Sequence, residues 1–170
     1  MKKQILFKII VMIVILLHIV SCEKITVYGD VVEDSNLLNS LYNNSKDTII
    51  IESKSYITEA DLTRNFYPSF LPTNKKLFTH INLVNIDSLP VPNTIDIIKL
   101  YVVNDQQIWI SNPLRDESDF VPVYKICRVS KNGPKWDTDI FVDVVIKIEN
   151  ESTMKSYLLI AKEQQILMIE

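Results

Sequence analysis

Apolar and polar residues alternate most cleanly in IFVDVVIKIEN, where Ile140, Val142, Val144, Ile146 and Ile148 fall on one side. Phe141, Asp143, Val145, Lys147 and Glu149 fall on the other. A period of two with one wholly apolar side predicts a half-buried antiparallel strand, because successive side chains of a strand point to opposite faces. Wound at 3.6 residues per turn, the same apolar positions would scatter around a helix. TIDIIKLYVV repeats the pattern through Ile98, Leu100 and Val102, and Asn104-Asp105 then predicts a tight hairpin turn into QQIWIS. DTIIIES, KSYIT, KKLFTHINLVNID, FVPVYKICRVS and SYLLIA also read as strands. Pro122 marks an edge position or a strand start. NESTMK predicts a turn, and Lys162-Glu163 predicts another before QQILMIE.

Helical signals are few. Thr58 is a fair N-cap with Asp61 three residues on, so TEADLTRNF could open a helix that Pro68 would stop. Seven to nine short strands at spacings of about 8–15 residues predict an all-β fold, specifically an antiparallel β-sandwich of immunoglobulin-like architecture, with a small closed barrel as the rival. The Cys–Trp–Cys spacing of antibody domains is missing. Gly29 and Gly133 are the only glycines, so Asn, Asp, Ser and Pro must make the turns. Asn132-Gly133 is the strongest single turn signal.

The first residues follow another pattern. Lys2, Lys3 and Lys8 supply positive charge without acid, Ile9 to Val20 is apolar apart from His18, and Ser21-Cys22 ends the run. A transmembrane helix needs about 20 apolar residues. A charged start, a short apolar stretch and a small residue at the break predict a cleaved export signal over 1–21. Ile19-Val20-Ser21-Cys22 resembles the lipobox of bacterial lipoproteins. That resemblance implies cleavage before Cys22, acylation of its thiol (palmitate being a usual chain) and of the new amino terminus, and a place in the cell envelope facing the periplasm. One acyl chain anchors weakly and two or more anchor stably.

Of 170 residues, removal of 21 leaves 149, and with three lysines gone the net charge moves from −3 to −6. That sign argues against nucleic-acid partners. Residues 22–46, rich in Asn, Ser and acid, read as the lipidated cysteine and a tether with a short strand near ITVYGDVV, and 47–170 as the β-sandwich domain. With Cys22 lipidated, Cys127 is left without a disulfide partner and is expected to be buried.

Signs of catalysis are sparse. Two glycines allow no phosphate-cradling loop and no Gly-x-Ser-x-Gly elbow. One histidine in the mature chain, His80, excludes a two-histidine metal site, weakens a Ser-His-Asp triad and reads as a structural or surface strand residue. A Cys127–His80 pair has no other support in the sequence. Asp116, Glu117 and Asp119, and separately Asp137, Asp139 and Asp143, read as solvated acidic loops, since neither cluster has the glycine bend of a calcium loop. No cofactor, metal or enzymatic activity is expected.

The aromatics offer a binding surface. Trp136 follows a Gly-Pro turn between Lys135 and Asp137, and Tyr67 and Phe70 flank Pro68. An aromatic at a loop tip is a candidate hot spot for protein contact, although the stiff Pro134 turn favours Trp136 folding back to plug one end of the core. The set Arg64-x-Phe66-x-Pro68, LYVVNDQQIW, NGPKW, FVDVVIKI and YLLIAKEQQI resembles small lipoproteins of Bacteroidetes-type bacteria, which implies no particular activity. The expected function is a non-enzymatic, lipid-anchored envelope module that binds a protein or envelope component. Its alternative is a periplasmic immunity or inhibitor lipoprotein whose acidic surface occludes an exported toxin.

Overall fold

A computed structural model describes residues 29–67, 75–116 and 120–170. Within them the chain forms β1 (Asp30–Glu33), α1 (Ser35–Asn44), β2 (Ile49–Ile51), β3 (Lys54–Asn65), β4 (Leu77–Asn85), β5 (Ile95–Asn104), β6 (Gln107–Ser111), β7 (Leu114–Arg115), β8 (Lys125–Ser130), β9 (Phe141–Asn150) and β10 (Lys155–Ile169). Among the described residues the protein is all-β apart from one helix. The expected signal peptide and Cys22 lie outside the described residues, as do Pro68, Phe70, Glu117 and Asp119.

The strands form one continuous path, β1-β6-β5-β9-β10-β3-β4-β8-β7, with β2 paired to β3. Every named pair is antiparallel except β10–β3, which runs parallel over Ile166–Ile169 and Leu62–Asn65. The long strand β10 makes the path continuous. Its first part pairs with β9, a bulge falls between Ala161 and Gln164, and its last part crosses to β3. The turn expected at Lys162-Glu163 is therefore a bulge, with Glu163 at φ 55. A bulge bends and twists a strand locally, and here it turns the sheet toward its second half.

The concave face of the curled sheet packs against itself. One core cluster joins Tyr56, Leu62, Ile81 and Leu83 from one half to Leu100, Trp109, Ile146 and Ile148 from the other. The alternation in β9 is as expected, with Val142, Val144, Ile146 and Ile148 buried. Val145, on the opposite side, is buried too, because α1 covers it. Leu41 joins Val103, Ile108, Val145 and Ile160 in a second cluster on the convex face.

Helix α1 and strand β1 occupy residues whose composition reads as tether. The helix forms because Asp34 caps it, its carboxylate accepting from the N–H groups of Asn36 and Leu37 at 2.9 and 3.0 Å. Such a cap satisfies amides that would otherwise lack partners. Leu37, Leu38 and Leu41 then share the sheet-facing side. The helix expected from Thr58 is instead the middle of β3, where Tyr56, Thr58, Leu62 and Arg64 are buried at even spacing. Here pairing with β4 along Tyr56–Arg64 outweighs a local capping signal.

The hairpin expected at Asn104-Asp105 is present one residue later. Asn104 pairs with Gln107, and Asp105 has φ 53. Positive φ falls on Glu52, Ser53, Ser88, Asp105, Asn132, Asp139, Met154 and Glu163, and on neither glycine. Gly133 serves a different need. A Cβ there would come within 2.9 Å of both Leu77 and the Trp109 ring, so the missing side chain lets the backbone cross over the indole.

Candidate functional site

The residues singled out for binding divide by exposure. Lys135 and Asp137 are exposed, and Tyr67 is 52% exposed. Trp136 lies between the two charged residues but turns inward. Its ring packs on the main core, and its indole N–H donates to Gln107 Oε1 at 2.8 Å. Thus the structure directs the tryptophan into the end of the body and leaves its neighbours facing solvent.

Arg64 organises this end. It is largely buried near the end of β3. Its Nε donates to the Lys75 carbonyl at 2.8 Å, its Nη1 donates to the Trp136 carbonyl, and the guanidinium lies 4.9 Å from the Phe66 ring centroid. Two donors in a fixed fork tie separate connections to one strand. The Phe66 N–H donates to the Ile169 carbonyl at 2.8 Å, and the Asp139 N–H to the Ile166 carbonyl at 2.8 Å. The ends of β3 and β10, Tyr67 and the segment 131–140 thereby meet at one pole.

A second constellation lies on the convex face of β4, β8 and β7, of which sequence reading raises only an unsupported Cys127–His80 pair and misses Asp116. Cys127 stands opposite Asn82, and His80 opposite Val129, so His80 and Cys127 are diagonal neighbours on one face. Arg115 stands opposite Arg128. Continuing that register by one residue sets Asp116 across from Cys127. His80 Nε2 lies 2.7 Å from Cys127 Sγ and 2.9 Å from Asp116 Oδ2, and Sγ lies 3.6 Å from that same oxygen. The Cys127–His80 pair unsupported by the sequence is therefore formed, and His80 is a partly exposed strand residue that also meets Asp116. Cys127 is buried as expected, while the side chains of His80 and Asp116 are 35% and 21% exposed.

This arrangement is not a nucleophilic relay. In such a relay the carboxylate holds one ring nitrogen of the histidine and the nucleophile uses the other. Here Asp116 and Cys127 meet the same nitrogen. Burial first, and then the negative charge of Asp116, push the Cys127 thiol up to about 11, so it stays protonated at neutral pH. A thiol is a poor nucleophile beside a thiolate.

Ionisation of the thiol has a consequence for stability. The Cys127 thiol ionises at its ordinary value of 9.0 when unfolded and at about 11 when folded. Between those values the folded state binds more protons, so stability falls as pH rises. Tyr42 acts in the same direction above its ordinary 10.0, because burial and its hydrogen bond to Asp143 raise it to about 12. Urea midpoints are expected to fall from pH 8 to pH 10, and Cys127→Ser is expected to flatten the part that begins near pH 9. An equal fall in Cys127→Ser would contradict the assignment.

Beside this face, a cleft of about 740 Å³ runs between Pro90–Asn93 and β8, with Arg115, Asp116 and Arg128 along it. Arg128 pairs with Asp96 at 2.5 Å and Lys125 with Glu59 at 2.8 Å. No helix among the described residues is long and apolar enough to cross a membrane. No family model matches the chain, and no curated protein or solved structure matches it.

Proposed function

We propose that the chain is a non-enzymatic binding module held to the bacterial envelope by lipid on Cys22, facing the periplasm, with its recognition surface at the Arg64 pole. On this reading the curled sheet acts as an immunoglobulin-like sandwich, its two halves layered around one core, and the connections at one end do the binding. The observation that carries the reading is the double anchorage by Arg64, which fixes the backbone at Lys75 and Trp136 while Lys135, Asp137 and Tyr67 stay exposed. A surface ordered before binding loses less entropy on contact. Alternating charge beside an aromatic suits a protein or envelope partner.

A photo-cross-linking residue at Lys135 in the full-length chain, irradiated in intact envelopes, is expected to give one adduct of defined mass. The same probe at the distal exposed position Lys155 is expected to give none. Equal labelling from both positions, or none from Lys135, would remove the assigned surface. An adduct containing an exported toxin would select the inhibitor reading.

A further inference from the structure

Three donor atoms of different chemistry converge on the convex face of β4, β8 and β7, all within 4.8 Å of one another: Nε2 of His80, Oδ2 of Asp116 and Sγ of Cys127. Hydrogen bonding alone leaves this convergence unbalanced. Nε2 carries at most one hydrogen, the thiol one and the carboxylate none. If Nε2–H donates to Asp116 across 2.9 Å, no ring hydrogen is directed along the 2.7 Å approach to sulfur. If the thiol donates to a bare Nε2, that lone pair faces the carboxylate. If the thiol instead donates to Asp116 Oδ2 at 3.6 Å, one N–H and one S–H still bridge at most two of the three contacts. A cation at the centre bridges all three.

We propose that His80, Asp116 and Cys127 bind one divalent transition-metal ion of the zinc type, with a fourth position open to water. A thiolate, an imidazole and a carboxylate are the ligands such an ion takes, and the thiolate disfavours magnesium and calcium. Donor distances of about 2.0–2.3 Å require the cluster to widen by less than about 1 Å. Thiolate and carboxylate together neutralise a charge of two. On binding, the Cys127 S–H bond breaks, its proton leaves to solvent and a sulfur–metal bond forms, with no change of oxidation state. Hydrogen-bonded neighbouring strands position His80 and Cys127, and the partial exposure of His80 and Asp116 gives an ion access from solvent. The site is separate from the Arg64 pole and does not depend on the envelope reading.

Cobalt(II) is the probe, added to the reduced, chelator-treated full-length chain in detergent. The expected result is one equivalent bound, with a thiolate-to-cobalt charge-transfer band in the near ultraviolet that zinc displaces. Cys127→Ser is expected to abolish the band, which assigns it to Cys127 rather than Cys22. His80→Gln and Asp116→Asn, at partly exposed positions, are expected to weaken cobalt binding about tenfold or more. Their metal-free melting curves report folding separately, and they decide the matter if Cys127→Ser does not fold. Absence of the band in the native sequence would overturn the proposal, as would cobalt affinity unchanged in both His80→Gln and Asp116→Asn.

Discussion

Replacing Ile166 with aspartate is expected to abolish cooperative folding, whereas the same change at the next residue, Leu167→Asp, leaves a folded protein. Ile166 is fully buried in the main core, and it opens the parallel stretch in which β10 pairs with β3. Leu167 is 46% exposed on the opposite side. Burying a carboxylate among apolar side chains, together with the lost packing of isoleucine, costs about 4 kcal/mol or more. Domains of this size have about 5–15 kcal/mol in total. The pair of variants also distinguishes two architectures. If Lys162-Glu163 were a turn, the last residues would form a peripheral strand, and neither change would be severe. Thermal melts followed by circular dichroism measure both, and equal melting of the two variants would contradict the continuous sheet.

Trp109→Ala is expected to destabilise the protein by about 3–5 kcal/mol. The indole is fully buried between the two halves of the sheet, and Gly133 leaves its backbone free to pass over the ring. Truncation opens a cavity that the surrounding strands, fixed by their ladders, cannot close. The indole N–H has no hydrogen-bond partner among the described residues. Trp109→Phe therefore sacrifices volume but no hydrogen bond, and is expected to cost much less than alanine. Denaturant unfolding monitored through Trp136 fluorescence and far-ultraviolet dichroism gives both values. Equal costs for alanine and phenylalanine would contradict the packing role assigned to the ring.

The period-two segments were the legible part of the fold. β9 follows from alternation alone, and the burial of Ile146 and Ile148 follows with it; in β5 a bulge between Ile97 and Lys99 buries Ile97 in place of the expected Ile98 beside Leu100 and Val102. Helix α1 had a readable signal, in the Asp34 cap and the spacing of Leu37, Leu38 and Leu41, but the Asn and Ser around it resemble a linker. The parallel seam was not readable. Local residues at Ala161–Gln164 are compatible with either a turn or a bulge, and only contact with β3, a hundred residues earlier, selects the bulge. The same holds for the His80 cluster. Its members come from three separate strands or their ends, and their meeting depends on the registers of β4 with β8 and β8 with β7. His80 and Cys127 lie in no spacing motif, so sequence reading could raise their pairing but not support it. Trp136 shows the opposite case. Its Gly-Pro setting admitted both a displayed and an inward ring, and Gln107 together with Arg64 selects the inward one.

The functional account depends on where the chain is held, and the mass of the intact protein from native membranes tests that most directly. A polypeptide beginning at Cys22, heavier than its sequence by the mass of acyl chains, is the predicted result. A species that retains Met1 or Lys2 and carries no lipid would contradict the account.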